Sequence, residues 1–262
     1  MSQVRAAFNK ASNDYEDHAF LQKEIATRLS KKLDVITTKS DVILDLGAGT
    51  GLLSQQLEKR FVGSQVICLD FAQNSLKHNP ASHKICANAS HLPLADNSVD
   101  IVVSSLMMQW CPDLNQLFSE IHRVLKNDGL ILFSTFGPDT LKELKNSWSV
   151  VDNETHVNTF TDMHDIGDQM LGAGFQSPVM EMETLTLTYQ TVTDLLRDLK
   201  AIGAQSVNAR SKALMGKDKF KLMVEMYESY RQDGKLPATY EVIYGHAWKK
   251  TSEIGVIKLS NN

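Results

Sequence analysis

The chain has 262 residues, 42% of them hydrophobic and 22% charged, which is ordinary for a globular protein and enough for one large domain with a full core. Its net charge of −4 argues against a general nucleic-acid binder, which carries a basic excess to meet phosphate. Three cysteines without a C-x-x-C pair exclude a disulfide framework, and eight histidines without H-x-x-x-H or H-E-x-x-H spacing give no reason to expect a metal.

The first residues, MSQVRAAFNKASNDYEDHAF, are interrupted by charges and lack the apolar core of a signal peptide. No stretch approaches the ~20 apolar residues of a membrane span. A cytoplasmic protein without membrane contact is expected. Residues 17–35 place Phe20, Leu21, Ile25, Leu29 and Leu33 at helical spacing. Val42–Leu46 reads as a short buried strand, and Leu52–Arg60 resumes a helical pattern. Residues 64–70 (SQVICLD) form a second strand ending in an acid, and residues 98–106 (SVDIVVSSL) another. A helix over 114–125 turns Leu117, Ile121, Val124 and Leu125 to one side. Lys126–Gly129 reads as a turn before the buried strand LILFSTF (130–136).

Beyond Phe136, a helix is predicted over 162–173, ending at Gly174, and a strand over 179–189. Helical stretches near 191–202 and 218–232 precede a last strand over 239–250. Strands alternating with helices predict a parallel sheet covered on both faces. The strands 179–189 and 239–250 pair at the end of that sheet, with 190–236 as a helical insertion between them. Ligands of such sheets sit beyond the carboxyl ends of the strands, where Asp45, Asp70 and Ser104–Ser105 fall.

The turn after the first strand, LDLGAGTG (44–51), lacks the Lys of a phosphate-binding P-loop and the G-x-G-x-x-G of a dinucleotide fold. Its acid, Asp45, would repel a phosphate and suits a ligand bearing ammonium and sulfonium groups. With CLDFA (68–72), this turn resembles the first two motifs of the class I methyltransferases that use S-adenosylmethionine. The resemblance implies a Rossmann-like α/β fold: a mostly parallel seven-stranded sheet with helices on both faces. It also implies that S-adenosylmethionine is bound by Asp45, Gly47, Ala48, Gly49, Gly51, Asp70, Phe71, Asn88, Ala89 and Ser104. In this family the second acid, Asp70 here, takes the ribose hydroxyls. Asn88 stands where many members have an Asp that meets the adenine amine; its side-chain oxygen can still accept.

A second resemblance runs from about Val4 to Trp248. SLMMQW (105–110), FGPDTLKEL (136–144), HVNTFTDMHDIGDQML (156–171), LLRDLKAIGA (195–204) and GKLPATYEVIYGHAW (234–248) are similar to the malonyl-acyl-carrier-protein O-methyltransferases of early biotin synthesis. It implies methyl transfer from S-adenosylmethionine to the free carboxylate of malonate carried as a thioester on acyl carrier protein or coenzyme A, with S-adenosylhomocysteine as product. A branch of mitochondrial assembly factors, which modify an arginine of a respiratory-complex subunit, shares parts of these stretches and gives a second reading. The candidate catalytic residues are Tyr15, Gln109 and Trp110, and the candidate substrate contacts are His156, Arg197 and Arg210. The segment 197–221 sets Arg197, Arg210 and five lysines against Asp198 and Asp218, a surface suited to an acidic carrier. A monomeric single domain, 1–262, is expected, with lids formed by residues 1–35 and 190–236.

Overall fold

The computed structural model describes residues 19–36, 40–202 and 216–250. The chain runs α1 (Phe20–Lys32), β1 (Val42–Leu46), α2 (Ser54–Arg60), β2 (Gln65–Asp70), α3 (Gln73–His78), β3 (His83–Cys86) and β4 (Val99–Ser105). A 3-10 turn (Met108–Trp110) leads to α4 (Leu114–Val124), β5 (Leu125–Phe136), α5 (Lys142–Ser149), α6 (Met163–Gly172) and β6 (Gln176–Tyr189). Helices α7 (Val192–Ala201) and α8 (Lys217–Glu228) then precede β7 (Leu236–Lys249). The seven strands form one sheet in the order β3-β2-β1-β4-β5-β7-β6. The first five are parallel, and β7 runs antiparallel to both β5 and β6.

Both faces of the central strands are covered, as near-continuous apolar strands require. Ile43, Ile101 and Leu130 pack toward α1, α2, α7 and α8, through Leu29, Leu57, Leu195 and Tyr227. Leu44, Val102 and Ile131 pack toward α4 and α6, through Leu117, Phe118, Ile121 and Met170. Helix α4 starts where Asp113 accepts a hydrogen bond from the Gln116 N–H. The entry to β1 is set by Asp100, whose carboxylate accepts the N–H groups of Asp41 and Val42 and pairs with Lys126 at 2.8 Å.

Several expectations shift. Phe20 is 68% exposed, while Leu21, Ile25, Leu29 and Leu33 are buried as the helical spacing implied. Lys126–Gly129 is not a turn between elements. It is an irregularity inside β5: pairing with β4 passes from Val99↔Leu125 to Ile101↔Leu130, with Asp128 in the left-handed region at φ 59°. Leu125 therefore opens the strand rather than closing the helix. β6 and β7 each begin three residues earlier than their apolar patterns suggested, at Gln176 and Leu236.

Strand order reverses at β1, between β2 and β4. The chain leaving β1 and the chain leaving β4 part company there and open a cleft at the carboxyl edge.

Candidate functional site

Gly47 leaves β1 with φ +81°, and its N–H and that of Ala48 both donate to the Leu69 carbonyl of β2, at 2.7 and 3.1 Å. The turn is thus stitched to the neighbouring strand before any ligand is considered. Asp70, at the end of β2, closes a second link: its Oδ2 accepts the Gly49 N–H at 2.9 Å and its Oδ1 accepts the Ala72 N–H at 2.7 Å. Each oxygen keeps a further lone pair. Asp45 is buried within β1 and accepts a hydrogen bond from the Ser54 hydroxyl at 2.5 Å. Asn79 braces the arrangement from outside, donating to Ser54 Oγ at 3.3 Å and to the Gly49 carbonyl at 3.4 Å.

The electrostatics are one-sided. Burial pushes the Asp45 carboxyl up to about 7; the Ser54 hydrogen bond opposes this and the charge of Asp70 adds to it. Burial raises Asp70 as well, against the N–H groups of Ala72, Gly49 and Phe71. Among the described residues lining the cleft there are two carboxylates and no lysine, arginine or histidine. Two further buried oxygens on its wall, Gln22 Oε1 of α1 and Thr50 Oγ1 of the turn, have no hydrogen-bond partner among the described residues. Such a cavity disfavours phosphate. It fits a cation with N–H donors and a pair of hydroxyls, and it offers Phe71, Ala87 and Ala89 as apolar wall.

Ten of the residues singled out from the sequence line this cleft: Asp45, Gly47, Ala48, Gly49, Asp70, Phe71, Asn88, Ala89, Gln109 and Trp110. Gly51 does not. At φ +96° it packs on Asn79, where a Cβ would stand 2.8 Å from Oδ1. Ser104 is fully buried and donates to the Leu46 carbonyl at 2.8 Å; its neighbour Ser105 lines the cleft instead. His156 lies off the cleft, stacked on Trp148 with ring centroids 3.8 Å apart and bonded to Asp152 at 2.7 Å. Asp152 also holds Lys219, which keeps its carboxyl well below the usual range, so this cluster clasps the exit of α5 to α8. Arg197 is exposed and pairs with Asp194 at 2.9 Å. Tyr15 and Arg210 lie outside the described residues.

The residues that sequence reasoning missed are Gln22, Thr50, Ser54 and Asn79. Only Thr50 carried a local signal, between two glycines of the turn. The three cysteines are free thiols. Among the described residues no helix is long and apolar enough to cross a membrane, and no three metal-ligating side chains converge.

Fold and cleft together define a class I methyltransferase. The methyltransferase-domain family matches residues 44–133. The YcgJ protein of Bacillus subtilis superposes with a TM-score of 0.59 at 15% identity, over 87% of this chain and 99% of that one. Phosphoethanolamine N-methyltransferase 2 of Haemonchus contortus, solved in complex with S-adenosyl-L-methionine, shares the fold with a TM-score of 0.52 at 18% identity, over 93% of this chain and 57% of that one.

Full-length relatives narrow the class. The malonyl-[acyl-carrier protein] O-methyltransferase of Gallionella capsiferriformans is 47% identical over 96% of this chain and 91% of its own length. That of a Methylovorus species is 44% identical over 97% and 91%. The chain belongs to the malonyl-[acyl-carrier protein] O-methyltransferase family.

Proposed function

We propose that the cleft holds S-adenosylmethionine and that the enzyme methylates the free carboxylate of malonyl-acyl-carrier protein, or of the coenzyme A thioester, making the ester that primes pimeloyl synthesis for biotin. The observation that carries the donor assignment is the acid-lined cleft, whose described lining holds no cation and whose wall carries two buried oxygens without a partner among the described residues. Asp70 would take the ribose hydroxyls, Asp45 the positively charged methionine portion, and Asn88 the adenine edge. Gln22 and Thr50 would accept from the ammonium. When bound, the donor supplies an electrophilic methyl group on a sulfonium, and S-adenosylhomocysteine is left. The acceptor assignment rests on the relatives, which favour it over the assembly-factor reading.

The acceptor asks little of the protein. A carboxylic acid of ordinary pKa, about 4, is already ionised at neutral pH, so no general base is needed. The protein's part is to place the acceptor oxygen in line and exclude water, and orientation of this kind supplies ~7–11 kcal/mol. Gln22 and Ala26 of α1 and Ile202 beyond α7 reach the cleft wall, which supports lids formed from both the N-terminal segment and the insertion. In the basic segment 197–221, Arg197 and Lys219 are engaged with Asp194 and Asp152, and Lys221 pairs with Glu225 at 3.7 Å. Docking of an acidic carrier there would exchange such surface pairs, which individually contribute little. The enzyme is read as a monomer with no membrane or nucleic-acid partner.

Mass spectrometry of malonyl carrier protein after incubation with enzyme and donor tests the reading. One added methyl group is expected; an unmodified carrier in the presence of donor-bound enzyme would refute it.

Asp45 makes donor binding pH-dependent. Its carboxyl is half protonated near pH 7 in the free protein. A cation favours the carboxylate, so binding releases the proton and affinity rises with pH. Donor affinity is expected to be several-fold weaker at pH 6 than at pH 8, the gain from Asp45 being partly offset as the donor's own amino group begins to lose its proton near pH 8, with proton release measurable by calorimetry in buffers of different ionisation enthalpy. The acceptor stays ionised across that range, so it contributes no limb of its own.

A further inference from the structure

We propose that Thr135 is a positioning residue that holds the Gln109 amide so that one Nε2–H is presented to the acceptor carboxylate. The proposal rests on the acceptor assignment above. Gln109 lies on the cleft wall just beyond β4. Its Nε2 donates to the Leu106 carbonyl at 2.7 Å, and its Oε1 accepts from the Thr135 hydroxyl at 3.2 Å. The two ends of an amide are close in shape, but a backbone carbonyl can only accept. Leu106 therefore fixes which end is nitrogen, and Thr135 must act as donor to the other. One Nε2 hydrogen and one Oε1 lone pair remain.

The support behind both contacts is rigid. Leu106 stands in the left-handed region at φ 51°, a conformation a leucine keeps only where its surroundings enforce it. Its N–H is tied to the Ser134 carbonyl of β5 at 2.9 Å. Thr135 is buried in β5 and paired in register with Ile243 of β7.

The chemistry explains why an amide belongs here. Attack uses one carboxylate oxygen; the other must be held so that the first points at the methyl group. A guanidinium would do this bidentately and draw charge from the attacking oxygen. A neutral N–H orients one oxygen and leaves the other free. The described cleft lining offers no basic residue for the task, and Gln109 supplies a donor that is already fixed in place.

A double-mutant cycle tests this, with turnover of malonyl carrier protein, donor dissociation constant and melting temperature read for each protein. Thr135→Val removes the hydroxyl while keeping the shape, and is expected to lower kcat/KM for the malonyl carrier about tenfold, with donor affinity within about twofold of native. Thr135→Ser restores the donor and should recover to within about threefold of native. In a Gln109→Ala background the Thr135→Val change should cost less than about twofold, because the amide it positions is gone. An equal loss in both backgrounds, or a loss that follows donor affinity or melting temperature, overturns the proposal. Native turnover is measured first: donor binding without methylation of the malonyl carrier overturns the acceptor assignment, whereas native turnover with an additive cycle overturns the Thr135 role alone.

Discussion

Gly47→Ala is expected to remove measurable donor binding and to lower folding stability by about 2–4 kcal/mol. Two costs combine. At φ +81° an L side chain is strained, by roughly 1 kcal/mol. A Cβ there would also stand 2.5 Å from Met107 Cβ and closer still to its Cγ. Met107 cannot yield without moving the loop between β4 and the 3-10 turn, and such overpacking costs about 1–3 kcal/mol. Both Gly47 and Met107 line the cleft, so the displacement falls on the ligand site itself. Gly49→Ala is the informative contrast. Its φ is +51°, but a Cβ would meet nothing within 4 Å, so only the conformational cost of roughly 1 kcal/mol remains. Chemical denaturation and calorimetric titration of both variants separate the two effects. Equal losses at 47 and 49 would mean that contact with Met107 is not what the first glycine avoids.

Asp70→Ala should weaken donor affinity by at least about a hundredfold. A buried carboxylate facing two adjacent hydroxyls makes two charge-assisted hydrogen bonds, each worth about 1.5–3 kcal/mol, and the lower end of their sum is already two decades in affinity. The loss is compounded in the free protein, where Asp70 also receives the Gly49 and Ala72 N–H groups and so ties the glycine turn to the segment after β2. For that reason Asp70→Asn is not a mild substitution here. An amide has one acceptor oxygen; its NH2 would face either the Gly49 or the Ala72 N–H, donor against donor. Both variants should therefore lose donor affinity, measured by calorimetry, and Asp70→Asn should also lose stability. Retention of native affinity in Asp70→Ala would assign the ribose hydroxyls elsewhere.

Much of this was readable in the chain because its signals are local. The apolar run into Asp45, the glycines behind it and the acid closing β2 lie within one strand–helix–strand unit, and each is reported by its own neighbours. The paired last strands and the helices between them were legible for the same reason. What escaped depends on distant contacts. β3 is four residues long at the sheet edge, and only Ile85 is half-buried, so it shows no apolar run. α5 was missed because its inner face mixes Leu144 and Trp148 with Glu143 and Ser147. Glu143 is buried only because its carboxylate accepts the N–H and hydroxyl of Thr239, almost a hundred residues later on β7.

The site divides in the same way. In a strand buried on both faces, hydrophobicity does not reveal the phase of alternation, so Ser104 and Ser105 could not be told apart. Gln22, Asn79 and Thr135 arrive from other elements and carry no motif. Arg197, within the 190–236 insertion, attracted attention as a cation that could clamp the malonyl carboxylate. Its place is in the first turns of α7, where Thr191 and Asp194 form a capping box and Asp194 also holds the guanidinium.

Calorimetric titration of the folded native protein with S-adenosylmethionine reaches furthest into this reading, because the acid-flanked turn, the unpartnered oxygens and the proposed acceptor geometry all presuppose that ligand. One saturable site per chain is expected, tighter at pH 8 than at pH 6 and lost in Asp70→Ala. A folded protein that gives no heat with S-adenosylmethionine or S-adenosylhomocysteine, or that binds either one unaffected by loss of the Asp70 carboxylate, would contradict it.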